Sequence, residues 1–382
     1  MDLERRYRQL LERHGNGDLD RRGFLGNIGR MALACGVVAP TFMTFARSAH
    51  AGETIRYDGF GGYAQEAFDR LVLKPFTQKT GITVIQGSYA NPDAMLAQIQ
   101  AEGYDHYNFF TAAQEITPIQ IARRGWNAEL DESKIPRLKD LIPYVVERNK
   151  THGKGKLLSV PYYLSGGAIV YNTKTIDRAE IEAKGFGILL DTKYKGNMSG
   201  FDNWQYRIYY AALQSGQDHN DIKDFDAIWD RVRASRRQVL KYFTSGAEQD
   251  ALLTSGNVVL TDAWFLSIYN LMKQGQPIDF WPREGGYTQF GTMIALKGCP
   301  LDAFYEIIDI LLRPEVCFAH SLATGNLPLL DPTKYEFPKE LKAMPGYNPT
   351  GVATAFRTFD PIYWEANSAN WKRDYSRVMA RG

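Results

Sequence analysis

From Glu53 to Arg124 the sequence alternates short β-branched or aromatic runs with helical ones, and this alternation constrains the fold more than any other feature. Glu53-Thr54-Ile55-Arg56-Tyr57 reads as a strand. Residues from Tyr63 to about Thr80 read as a helix, with Phe68, Leu71, Val72, Leu73 and Phe76 as its core-facing stripe. Gly81 ends that helix, and Ile82-Thr83-Val84-Ile85 is a second strand. Asn91 and Pro92 supply an N-cap and a first helical position for a helix running to about Gly103. Tyr104 to Phe110 reads as a strand, and Glu115 to Arg124 as a helix closed by Gly125. The pattern is βαβαβα, which specifies an α/β fold with a parallel sheet and helices on both faces.

A chain of 382 residues exceeds one ordinary core, so two lobes are expected. Residues 1–51 stand apart from them. Arg21-Arg22-Gly23-Phe24-Leu25 matches a twin-arginine export pattern, the apolar run Met31 to Ala46 follows, and Ala49-His50-Ala51 is a small-residue cleavage site. The apolar run is about 16 residues, shorter than the roughly 20 that a spanning helix needs. A cleaved signal peptide carried by the Tat translocase is therefore expected, with lipid anchoring at Cys35 as the lesser alternative. Beyond residue 51 the chain has 37 basic and 38 acidic residues, a balance that gives no bulk attraction for nucleic acid. Only Cys299 and Cys317 remain there, and two buried thiols are preferred over a disulfide.

Farther on, Leu158 to Ser165 and Gly166 to Asn172 read as two extended pieces that carry the chain into a second lobe. That lobe reads as helices at Trp204 to Gly216, Asp224 to Ser235 and Trp264 to Gln274, with strands at Val258-Val259-Leu260 and Ile278-Asp279-Phe280. Phe290 to Leu296 reads as an extended return, and Leu301 to Leu312 as an amphipathic helix. The expected divisions are 1–51 leader, 52–162 first lobe, 163–289 second lobe, 290–335 return, and 336–382 a C-terminal segment on the second lobe.

In open α/β sheets ligands bind beyond the carboxyl ends of the strands. The turn Gly59-Phe60-Gly61-Gly62-Tyr63-Ala64 lies there and spells G-x-G-x-x-A, a loose dinucleotide fingerprint. The second strand, however, ends at Gln86-Gly87-Ser88 without the carboxylate such a site uses for the ribose, and Phe60 and Tyr63 would crowd a pyrophosphate. An exported dinucleotide-dependent oxidoreductase is thus a minor alternative. The four histidines after residue 51 show no metal spacing, and no nucleophile elbow or P-loop is present. No catalytic residue, metal or cofactor is expected. The strand-end turns instead carry rings, hydroxyls and amides: Phe60, Tyr63, Ser88, Tyr89, Thr111, Asp202, Trp204, Asp262, Trp264 and Gln289. Such a set suits a polar organic solute. An exported interaction protein without a small ligand is the third class.

Several segments carry a family resemblance: Lys74-Pro75-Phe76 through Gly81-Ile82, Ser159-Val160-Pro161-Tyr162, Gly166 through Asn172, Trp281 through Gly286, and Leu311 through Val316. Together and in this order they resemble the periplasmic solute-binding proteins of ABC importers, of the polyamine (spermidine/putrescine) type. The resemblance implies a type II two-lobe fold, monomeric, with lobes hinged near Pro161–Gly166 and Phe290–Met293 that trap solute and present it to permease subunits. It implies an aromatic box at Phe60, Tyr63 and Trp264 and hydroxyl contacts near Ser88 and Thr111. It also exposes departures. Gln289 and Gly291 stand in the region where an acid is expected, and Arg207, with Trp204, stands where the opposite lobe supplies acids. Two ligands remain open: a polyamine-like amine met by Asp202 or Asp262, or an anionic or zwitterionic solute held by Arg207.

Overall fold

The computed structural model describes residues 53–283, 286–351 and 356–380. The export signal, its cleavage site and Cys35 lie outside the described residues. The first strands form a parallel triplet. β1 (Thr54–Gly59) lies between β2 (Thr83–Ser88) and β3 (Phe109–Ala112). Its connections are α1 (Gly62–Phe68, continuing as Lys74–Thr80 through a π-helical turn at Asp69–Leu73) and α2 (Pro92–Glu102). The N-cap expected at Asn91 is present, its Oδ1 accepting from the Ala94 N–H at 2.9 Å. Strand period two explains the packing of β3: Phe109 enters the core with Phe68 and Phe304, whereas Phe110 enters the opposite one with Met95 and Ile99. The strand expected at Tyr104 to Phe110 is shorter and later, because Tyr104–His106 forms a 3-10 turn.

After α3 (Ile116–Arg123) and α4 (Pro143–His152), β4 runs unbroken from Val160 to Asn172. The two pieces read from the sequence are thus one strand, with a bulge between Pro161 and Tyr163. It leads through α5 (Arg178–Lys184) to β5 (Met198–Phe201), α6 (Trp204–Gln214), α7 (Phe225–Arg236) and β6 (Val239–Phe243). Next come α8 (Gly246–Thr254), β7 (Leu260–Trp264), α9 (Phe265–Lys273), β8 (Ile278–Trp281) and β9 (Tyr287–Ala295). The seventh strand therefore sits four residues later at its end than Val258-Val259-Leu260, and Trp264 closes the strand instead of opening the helix. The chain finishes with α10 (Leu301–Leu311), α11 (Pro314–Thr324), β10 (Leu327–Pro328), α12 (Lys339–Lys342) and α13 (Pro361–Ala380).

All described strands belong to one sheet of order β2-β1-β3-β9-β4-β7-β5-β6, with β8 and β10 also paired to β4. Two parallel sets, β2-β1-β3 and β7-β5-β6, are joined through the antiparallel pair β9 and β4. Strand β4 is buried along almost its whole length because both faces are covered. Ala168 and Val170 join the core of the first set, and Ile169 and Tyr171 join a second core built by α6, α7 and α13. In the β4–β9 ladder Tyr163 faces Gly291, and Gly167 faces Tyr287. Cys299 and Cys317 are buried free thiols, and burial pushes both up to about 12. Among the described residues no helix is long and apolar enough to cross a membrane.

Candidate functional site

The carboxyl ends of β1, β2 and β3 bring together Phe60, Tyr63, Ser88, Tyr89 and Thr111, as the topology of a parallel sheet requires. Phe60 is 37% exposed and meets the Tyr89 ring edge-on at 5.0 Å between centroids. Tyr89 is buried, and its hydroxyl donates to the Thr111 carbonyl. The Thr111 hydroxyl is held between those of Tyr57 at 2.9 Å and Tyr162 at 3.3 Å. Ser88 and Tyr63 are exposed, Tyr63 by 48%. Although partly exposed, Tyr63 lies close to Asn270 of α9. Burial first, and the Asp250 charge second, push the Tyr63 phenol up to about 12.

In the Gly59 loop one amide that a phosphate would need is already engaged. The Gly61 N–H already donates to Gln65 Oε1 at 2.9 Å, and Gln65 Nε2 donates to the Gly87 carbonyl at 3.1 Å. The loop amide is used to staple α1 to β2.

The second group of residues lies at the ends of β5 and β7. Arg207, on α6, donates to Asp262 Oδ2 at 2.5 Å, and both residues are at most 5% exposed. The guanidinium carbon lies 5.3 Å from the Tyr210 ring centroid and 5.6 Å from that of Tyr242. Burial is the largest single influence and acts to lower the Arg207 pKa, but the charge and hydrogen bond of Asp262 together with Tyr242 and Tyr210 outweigh it and hold the group above its ordinary value. Arg207 Nε and Asp262 Oδ1 are buried without a hydrogen-bond partner. The ring of Trp264 packs edge-on against Phe201 at 4.7 Å and Phe243 at 5.7 Å. Gln289 Oε1 accepts from the Tyr206 hydroxyl at 3.2 Å.

Two residues read as cleft contacts are engaged by the C-terminal helix. Asp202 accepts from the Tyr375 hydroxyl at 2.6 Å, and the Trp204 ring stands 6.0 Å from Trp364 and 6.4 Å from Trp371. Lys372 lies over Trp204 at 5.4 Å and pairs with Asp93 on α2 at 2.7 Å. So α13 is seated in the second core through Trp364, Trp371 and Tyr375, and reaches the first strand set through charge pairs, Lys372–Asp93 and Arg123–Glu365.

Sequence reasoning passed over several residues here. Asp250 and Gln249 sit on α8, Phe201 and Tyr206 surround the strand ends, and Tyr210 flanks Arg207. The capping pair Ser245 and Glu248 was the available signal for α8: Ser245 Oγ accepts from the Glu248 N–H at 3.3 Å, and Glu248 Oε2 accepts from the Thr244 N–H at 2.8 Å. A separate small cavity beside β4 and β9, lined among others by Glu115, His152, Pro161 and Thr292, contains none of the residues of the strand-end turns. It lies behind β4 and β9, whereas rings, hydroxyls and charges converge at the strand ends. Among the described residues no group of His, Cys, Asp and Glu is arranged to hold a metal.

Comparison with known proteins agrees with this architecture. The family described as bacterial extracellular solute-binding protein matches residues 72–345. Spermidine/putrescine-binding periplasmic protein 1 of Haemophilus influenzae is 25% identical over 313 residues, covering 78% of this chain and 85% of its own length. The putrescine/cadaverine-binding protein of Pseudomonas aeruginosa is 25% identical over 318 residues, covering 78% and 87%. Among solved structures, an ABC transporter substrate-binding protein from Bradyrhizobium japonicum superposes with a TM-score of 0.71 at 21% identity, covering 86% of this chain and 99% of that one. The binding protein AgtB of A. tumefaciens in complex with agropinic acid gives 0.64 at 16% identity, covering 87% and 100%. These are binding proteins rather than enzymes, and their fold is the two-lobe α/β architecture expected from the alternation. With the family match spanning most of its length, the chain belongs to the bacterial extracellular solute-binding proteins.

Proposed function

We propose that this protein is the substrate-binding component of an ABC importer and that it traps a small amine-bearing organic solute between two lobes hinged on β4 and β9. The observation that carries this reading is the aromatic wall. Phe60 and Tyr63 stand exposed at the ends of the first strand set, and Tyr63 already reaches α9 of the second. Rings that pack nothing fully are free to close over an ammonium group, where desolvated cation–π contact contributes about 2 kcal/mol. The polyamine-binding relatives support an amine. Export through the Tat translocase, cleavage near Ala51, a periplasmic location and a monomeric state belong to the same proposal.

A second reading has an observation in its favour. Arg207 and Asp262 neutralise each other, yet each keeps one unpartnered atom, a donor at Nε and an acceptor at Oδ1. A zwitterionic solute of the amino-acid or opine class matches such a pair better than a second ammonium does, because no net negative charge is left there.

Titration calorimetry of protein purified from the periplasm, chain beginning near Gly52, tests both. The panel is putrescine, cadaverine, spermidine, 4-aminobutyrate and an opine-type acid. The expected result is micromolar or tighter binding of at least one of putrescine, cadaverine and spermidine. Phe60→Ala and Tyr63→Ala are each expected to weaken it about 10- to 100-fold while leaving the melting temperature of the free protein nearly unchanged, since both side chains are exposed. Failure of every member at millimolar concentration sinks the reading. Binding of the carboxylate-bearing members alone, lost as Arg207 is changed to Lys, moves the conclusion to the second.

A further inference from the structure

The acids near the strand ends are mostly taken. Asp58 is held by Arg56 through two hydrogen bonds of 2.9 and 3.0 Å, Asp202 by Tyr375 at 2.6 Å, and Asp262 by Arg207 at 2.5 Å. Glu248 is engaged by Lys241 and by the Thr244 N–H. Asp250 differs. Among the described residues it forms no ion pair, and its Oδ1 is buried with no hydrogen-bond partner. Burial raises its pKa, and nearby Ser267 acts in the opposite direction.

The surroundings of Asp250 are those of a cation subsite. Gly246 and Asp250 lie four residues apart on α8 and so share one helix face. The Trp264 ring comes to 3.5 Å, and Ser267 Oγ to 3.8 Å, of the point where a Cβ on Gly246 would stand. The Asp250 charge also acts on Tyr63, which lies close to Asn270 on α9. The helix is fixed in place by Gln249, whose Nε2 donates to the Asp262 carbonyl at 3.2 Å, and by its Ser245 cap. One helix turn therefore carries Asp250, with its unpartnered Oδ1, and Gly246, which the Trp264 ring approaches, while the Asp250 charge is felt by Tyr63 of the other strand set.

We infer that Asp250 is the carboxylate that receives the primary ammonium group of the solute, with Trp264 and Tyr63 flanking the same group. This rests on the amine reading of the site. An ammonium has three donors and no acceptor, so it satisfies Asp250 Oδ1 and the neutralising charge arrives with the ligand. The arrangement also couples capture to closure. Tyr63 and Asp250 come from different strand sets, and an ammonium between them is bound fully only when both are in place.

The test uses the full mature chain and putrescine as probe. Asp250→Asn keeps the shape and removes the charge. It is expected to weaken putrescine binding by at least about 30-fold, the loss typical when one member of a buried charge pair is removed. The ligand-free variant is expected to melt at or above the wild-type temperature, because it relieves an unpaired buried charge. Asp250→Glu is expected to recover part of the affinity, which a merely structural role would not predict. Putrescine binding by Asp250→Asn within threefold of wild type overturns the assignment while leaving the amine reading intact. A wild-type protein that binds neither putrescine nor any other amine overturns both.

Discussion

Arg207→Ala is expected to lower the stability of the ligand-free protein by about 3–5 kcal/mol, the loss seen when one partner of a buried ion pair is removed. Asp262 would be left buried, with Oδ1 already unpartnered and the Phe201 N–H, 3.5 Å from Oδ2, as its remaining donor nearby. The side chain also fills the space between the Tyr210 and Tyr242 rings, so its packing is lost with its charge. Replacing both partners at once, as Arg207→Leu with Asp262→Leu, removes the orphaned charge. The double variant is expected to be more stable than Arg207→Ala alone, as matched replacement of buried pairs often is. Urea midpoints at constant m-value measure both. A loss below 1 kcal/mol in Arg207→Ala would show that Asp262 is not left unsatisfied. The result also governs how ligand tests at this position are read: weak binding by Arg207→Ala does not by itself identify Arg207 as a solute contact, which is why the charge-retaining Lys variant is used.

Gly291→Ala is expected to cost about 3 kcal/mol, at the upper end for inserting a methyl group into a packed site. Gly291 faces Tyr163 across the β4–β9 ladder, and a Cβ there would overlap the Tyr163 ring. The ring has little room to yield, being 5% exposed and packed edge-on against Tyr162 at 4.6 Å. Tyr162 in turn touches the Thr111 hydroxyl at 3.3 Å. The pairing is repeated in reverse at Gly167, where a Cβ would come within 2.6 Å of the Tyr287 ring. Each strand thus lays a tyrosine across a glycine of the other, which keeps the two strands closely paired along the segment that joins the strand sets. Adding Tyr163→Ala to Gly291→Ala is expected to recover part of the loss, with a coupling energy of at least about 1 kcal/mol by double-mutant cycle. Strict additivity of the two changes would show that the ring is not the obstacle.

The legible parts of this fold are those with local causes. Asn91-Pro92 announced α2, Gly81 closed α1, and the β-branched runs set the order of the first strands. The strand β4 read as two pieces because Gly166-Gly167 resembles a break; the glycines are there to admit the Tyr287 and Phe265 rings. β6 escaped notice because Val239 to Phe243 forms an edge strand with Leu240 and Lys241 exposed, so its apolar pattern is weak. Without β6, α8 had no strand to follow, and Asp250 was not placed at a strand end. Long-range partners were invisible for a different reason. Arg207 and Asp262 are 55 residues apart, and Tyr375 and Asp202 are 173 apart. Nothing in either local segment shows that the charge is already answered. The placement of Phe60 and Tyr63 beyond the carboxyl end of β1 was legible because the βα turn after a parallel strand has to lie there.

The proposed capture of solute rests on closure about β4 and β9. Small-angle X-ray scattering of the mature chain, with and without saturating amounts of the solute that titration identifies, measures this directly. The expected result is a fall in radius of gyration on binding of that solute, with Tyr63→Ala showing a smaller fall at matched occupancy because its ring is one of the contacts made across the closing gap. Scattering that is unchanged while calorimetry shows the solute fully bound would contradict hinge closure as the basis of capture.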